Sequence, residues 1–124
     1  MDPLTILLVG LGAAVGAPLR YLADTAVRSR LDPVFPWATF AVNVAGSLLL
    51  GALVGAAGTL PPEIGALLGT GFCGALTTYS TFGYELVTLA ERRVTATAVG
   101  YLLASVVIGI LAAAAGWALV RLAL

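Results

Sequence analysis

The residues of this chain with the most chemical capacity are crowded into one stretch, 71–82, which reads GFCGALTTYSTF. Glycines, five hydroxyls and three aromatic rings replace the Leu, Ile and Val that a lipid-facing segment would need. Polar groups at membrane depth are tolerated only where protein or a water-filled cavity surrounds them, so the run points to something polar crossing a bilayer. Tyr79 and Phe82 are three apart and share one side of a helical turn. Such rings often belong to a core or an interfacial belt. Their edges also carry partial positive charge, so a pair of them can face an anion. Thr39, Asn43 and Ser47 follow the i, i+4, i+8 spacing of one helix face. The Asn43 amide has two readings: a donor to an anion, or one half of an interhelical hydrogen bond. It needs a partner in either case, because an unpaired amide in hydrocarbon is costly. Tyr101, Ser105 and Gly109 repeat the spacing, with two hydroxyls and a gap. Donors to a passing ion and ordinary packing hydroxyls both fit that stripe.

Ionised groups are few. Arg20 closes the first apolar stretch, where it either snorkels to the interface or helps to hold an anion-attracting vestibule. Glu85 lies a turn beyond Phe82, near the end of its segment, and no acid occupies the centre of any span. That removes the usual means of carrying protons or organic cations. His and Lys are absent, and the single Cys73 reads as a small buried residue. With no histidine, and with its six acids mostly near segment ends, the chain offers little for catalysis, and an enzyme is not expected. A net charge of zero argues against a nucleic-acid partner.

These residues must be held by membrane helices. Of 124 residues, 60% are hydrophobic and 10% charged, and the mean hydropathy is +1.06. A soluble domain of this length could not hide so much apolar surface. Four spans are predicted, at about 4–22, 37–57, 63–89 and 94–120, within one domain. Short connections make neighbours antiparallel and leave both termini on one side. Pro61 and Pro62 suit the first turn of the third helix, and Asp32-Pro33 and Phe35-Pro36 punctuate the first loop. Glycines and clustered hydroxyls predict a break in the third helix near 74–79. A continuous helix with hydroxyls bonded back to the preceding turn is the other reading. Gly12/Gly16, Gly51/Gly55 and Gly65/Gly69 each form a GxxxG pair that suits close helix packing in lipid.

Taken together, GFCGALTTYSTF, GAAVGAPLRY (12–21), TFAVNVAGSLLLG (39–51) and the Tyr101–Ser105 spacing resemble the small fluoride channels of the CrcB/Fluc family over essentially the whole chain. The resemblance implies an all-α integral membrane four-helix subunit that forms an antiparallel, dual-topology homodimer. It implies two passive, fluoride-selective pores that export cytoplasmic fluoride, a central structural Na+, and a multi-pass location in the cell membrane. Residue by residue, it makes Asn43 the pore amide donor and Phe82 the second ring of an aromatic box. Tyr79 stands where a phenylalanine is usual, and Ser80 and Thr81 add hydroxyls beside the box. Tyr101 and Ser105 continue a polar track, with Gly109 where some members have serine. Thr39 and Arg20 match vestibule and structural positions, and Glu85 lines a mouth. The backbone carbonyls of Gly74 and Thr77 match the sodium ligands, two from each subunit.

The arginines are unevenly shared. Arg20, Arg28, Arg30, Arg92 and Arg93 fall on one side of the predicted bilayer and Arg121 alone on the other. The positive-inside rule then favours a single heading with the termini outside, whereas a dual-orientation family should show little bias. Two other functions fit four short helices. A small dual-topology multidrug exporter would need a membrane-embedded acid in the first helix, and 4–19 has none. A non-transporting membrane subunit would need only the GxxxG faces.

Overall fold

The computed structural model describes residues 2–30 and 34–124. Its helices are α1 (Pro3–Arg30), α2 (Trp37–Gly55), α3 (Pro62–Ile64), a π-helical run (Gly65–Cys73), α4 (Gly74–Leu76), α5 (Ser80–Glu91) and α6 (Thr95–Ala123). The described residues contain no β-strand. By length and composition, α1, α2 and α6 can each cross a bilayer.

Helix α1 runs past its predicted end at residue 22. Its 28 residues make a rod of about 42 Å, longer than a hydrocarbon core of roughly 30 Å. Hydropathy ends the span where the sequence turns polar, but nothing in ADTAVRSR breaks a helix. Asp24 and Arg28 pair one turn apart at 3.1 Å, and Arg28 and Arg30 complement the carboxyl end of the helix dipole. At the other end, the Asp2 carboxylate accepts from the amide of Thr5 at 2.7 Å and caps the first turn. That bond holds the Asp2 pKa below the usual carboxylate range. The predicted Asp32-Pro33 turn falls outside the described residues.

Two helix contacts organise the rest: α2 lies along α6, and α1 lies along the π-helical run and α4. Both are made by missing side chains. A Cβ on Gly51 would collide with the carbonyl of Ala113, and one on Gly116 with the carbonyl of Leu48. A Cβ on Gly12 would strike the Leu67 carbonyl, and one on Gly16 the carbonyl of Phe72. The third GxxxG pair does not behave this way. Gly65 faces open space, and a Cβ on Gly69 would make only ordinary contact with Leu53 at 3.7 Å. Spacing puts these two glycines on one face, but among the described residues no backbone lies within 4 Å of the Cβ positions there.

Pro62 opens α3 where its missing N–H costs nothing. At the far end of α5, Arg93 adopts a left-handed φ of 62°. The amide of Val94 then reaches back to the carbonyl of Leu89 at 3.1 Å, a Schellman-type stop. The best-buried part of the molecule lies nearby, where Leu89, Ala98 and the fully buried Tyr101 pack with Phe35, Phe40 and Phe82.

Candidate functional site

The site is built around an interruption. Helical winding stops at Leu76 and resumes at Ser80, with Thr77 extended at φ −81°, ψ 160°. Interrupted backbone in an apolar setting needs other partners, and side chains supply them. Thr77 Oγ1 donates to the Cys73 carbonyl at 2.7 Å. Thr78 Oγ1 accepts from the Thr81 amide at 3.2 Å and so caps α5. Asn43, reaching across from α2, accepts from the Thr78 amide at 2.9 Å and donates to the Thr78 carbonyl at 3.1 Å. One side-chain amide thus satisfies both backbone polar groups of one residue, Thr78.

The diversion of these donors has a consequence. In an unbroken α-helix the Thr78 amide would bond the carbonyl of Gly74, and the Thr81 amide would bond the carbonyl of Thr77. Both amides are engaged elsewhere, so both carbonyls lose their helical partners. They are hard oxygen acceptors on the two sides of the stop. Gly74 itself is exposed, and a Cβ there would meet nothing nearer than 4.0 Å.

Two cavities meet at Thr78. The first, a groove of about 370 Å³, is walled by Asn43, Ser47, Gly74, Thr77, Thr78, Tyr79, Phe82 and Ser105. Its polar groups are all neutral. Ser105 Oγ is buried there with no hydrogen-bond partner among the described residues. A buried hydroxyl in that state is costly, and it is free to serve a guest. The second cavity, of about 390 Å³, is walled by Arg20, Asp24, Arg28, Thr39, Thr78, Thr81, Tyr84 and Glu85. It adjoins a further cavity of about 470 Å³ that shares Asp24, Arg28, Tyr84 and Glu85 and reaches Phe35, Trp37 and Arg92. The charged residues therefore gather on one side of Thr78 and the neutral donors on the other.

Aromatic rings connect the two sides. Phe82 lies between Tyr79, at 6.4 Å, and Tyr101, at 5.0 Å and edge-on. Tyr101 continues to Phe35 at 5.2 Å, again edge-on. The Tyr101 hydroxyl donates to Glu85 at 3.1 Å, tying α6 to α5. Tyr79 differs from the other rings, with 88% of its surface exposed at the rim of the groove.

The structure brings together Asn43, Thr77, Tyr79, Phe82 and Ser105 in the groove and Arg20, Thr39, Thr81 and Glu85 in the charged cavity. Ser80 is exposed and lines neither of them. Thr78 was missed by sequence reasoning although it is the wall common to both cavities. A run of five consecutive hydroxyl residues, 77–81, does not reveal which member turns inward. Asp24 and Arg28 escape sequence reasoning as site residues because hydropathy places them in a loop, whereas α1 continues through both.

The family described as CrcB-like protein, Camphor Resistance (CrcB), matches residues 7–117 of the chain. The Streptomyces avermitilis protein named fluoride-specific ion channel FluC 1 is 56% identical to it over 112 residues, covering 89% of this chain and 90% of the relative. A Frankia casuarinae protein of the same name is 54% identical over 122 residues, covering 93% and 95%. The fluoride-specific ion channel FluC of Rhizobium meliloti is 42% identical over 123 residues, covering 94% and 95%.

Proposed function

Because this chain belongs to the CrcB family, we propose that it is a fluoride-selective, passive ion channel, a multi-pass membrane protein that lets toxic fluoride leave the cell. The observation that carries the reading is the groove in which the buried, partnerless Ser105 hydroxyl shares a wall with the Asn43 amide and the Phe82 ring. Fluoride is small and tightly hydrated, and stripping a small ion of its water is very expensive. A conducting site must return that energy through hydrogen-bond donors without trapping the ion. Hydroxyls, one amide and ring edges, with no fixed charge among them, suit that requirement. The charged cavity beyond Thr78 suits a vestibule, where Arg20 can draw an anion while Asp24 offsets the charge of Arg28.

In this reading residues 62–91 cross the bilayer as one broken helix, and Asn43 holds the break by pairing with Thr78. The groove is completed by a second copy of the chain, because the strongly exposed Tyr79 stands at its rim. The family resemblance supplies the opposite headings of the two copies and two pores per dimer. The residues also fit a structural sodium ion. The carbonyls of Gly74 and Thr77, deprived of their helical donors, would hold it, and two oxygens from one chain leave room for two from the partner. A cation there would fix the break and add positive charge near the groove.

The test is anion efflux from liposomes containing the purified protein. Fluoride should leave rapidly and chloride barely; equal release of the two would end the claim of selectivity, and no release of either would end the channel reading.

A further inference from the structure

The polar stripe on α6 runs Tyr101, Ser105, Gly109, and its third position has no side chain to donate. The structure shows what stands in that gap. A Cβ built on Gly109 meets one heavy atom within 4 Å, the hydroxyl oxygen of Ser47, at 3.7 Å. Ser47 projects from α2, one turn beyond Asn43, and lines the same groove as Asn43 and Ser105. Beyond it the groove wall turns apolar, with Leu50 and Gly69.

We propose that Ser47 is a fluoride-binding residue of the conduction groove, supplying from α2 the hydroxyl that α6 lacks at Gly109. The proposal rests on the channel reading above. Along the groove, the Ser105 and Asn43 donors are followed by a level at which α6 offers only backbone. An ion passing that level without a donor would face the desolvation cost in full. The Ser47 hydroxyl is the side-chain donor placed there, and the missing Cβ of Gly109 leaves an ion-sized space beside it. The two positions are therefore complementary: a hydroxyl on either helix reaches the same part of the groove.

The complementarity sets the test, which is fluoride efflux from liposomes into which wild-type and variant channels are reconstituted in equal amounts. Ser47→Ala should slow efflux by about tenfold or more, the loss expected when a charge-assisted hydrogen bond disappears. Gly109→Ser alone should leave a conducting channel, since ordinary van der Waals contact is all that the new Cβ meets. The double variant Ser47→Ala/Gly109→Ser should recover most of the lost rate. A packing role for Ser47 predicts no such rescue, because a serine at 109 does not refill position 47. Efflux unchanged in Ser47→Ala overturns the proposal, as does a loss that Gly109→Ser fails to restore. If Ser47→Ala does not give an assembled protein, Ser47→Cys, near in size and a weak donor, takes its place, and wild-type rates from it are equally fatal. Wild-type protein in the same preparation separates the two readings. If it conducts no fluoride, the channel assignment has failed. If it conducts and the variants behave alike, Ser47 alone is wrongly placed.

Discussion

The charged cavity and the neutral groove share Thr78 as a wall, yet they are built on opposite principles. On one side, Arg20, Asp24, Arg28 and Glu85 stand around one cavity. On the other, Asn43, Ser47 and Ser105 offer donors with no net charge, flanked by Tyr79 and Phe82. Full charges act over about 8 to 10 Å in salt solution and attract anions from a distance. Placed in a dry passage, the same charge would bind an anion too strongly to release it, whereas neutral dipoles replace water at a depth that still allows departure. The division suggests that capture and passage are separate tasks, performed by different kinds of residue less than one helix length apart.

Substitutions can break that division or sharpen it. The largest effect is expected from Asn43→Asp. The carboxylate loses the donor that the Thr78 carbonyl receives and brings a negative charge into the neutral groove, so fluoride efflux should fall by about a hundredfold or more. Wild-type efflux would mean that the groove tolerates charge and that the contrast is false. Arg20→Gln removes a positive charge from the vestibule, and a loss of about two- to fivefold is expected at low ionic strength, shrinking as added salt screens the field. Efflux measured across a salt series decides the matter: a loss that stays constant would assign Arg20 to contact or packing rather than attraction. The smallest effect belongs to Asp24→Asn. It frees Arg28 from a pair whose side chains are 78% and 46% exposed, and such pairs are weak. Entry should rise by less than about twofold at low salt. A clear fall in rate would show instead that the pair holds the mouth in shape.

Much of this contrast was legible in the residues alone. The stripe through Thr39 and Asn43 and the ring pair Tyr79–Phe82 follow from helical spacing, and the structure gathers them around two adjoining cavities. The Asn43 readings of ion donor and interhelical bond turn out to be compatible. One amide hydrogen is engaged with Thr78, and the other is not needed for that bond. What spacing could not supply was the direction in which a face points. Gly65 and Gly69 have the same pattern as Gly51 and Gly55, but only the latter pair meets a neighbouring backbone. Hydropathy hid the last turns of α1, because polar residues that favour a loop in a membrane profile are also adequate helix formers in water. The stop at Arg93 lacked the glycine that usually marks a left-handed position. The π-helical winding of Gly65–Cys73 has no signature at all in GALLGTGFC, since propensities measured for α-helices do not distinguish the two.

That winding governs where the break looks. A π-helix packs more residues into each revolution than an α-helix does, so a π-helical run at Gly65–Cys73 changes the bearing of everything that follows it. Were the same nine residues to tighten into α geometry, everything after them would be dialled around the axis. Thr78 would swing away from Asn43, and the carbonyls of Gly74 and Thr77 would turn to a different compass bearing. The run therefore acts as a phase setting for the lower half of the segment: inserting or deleting a single residue within it should misalign the junction while leaving every residue of the junction in place.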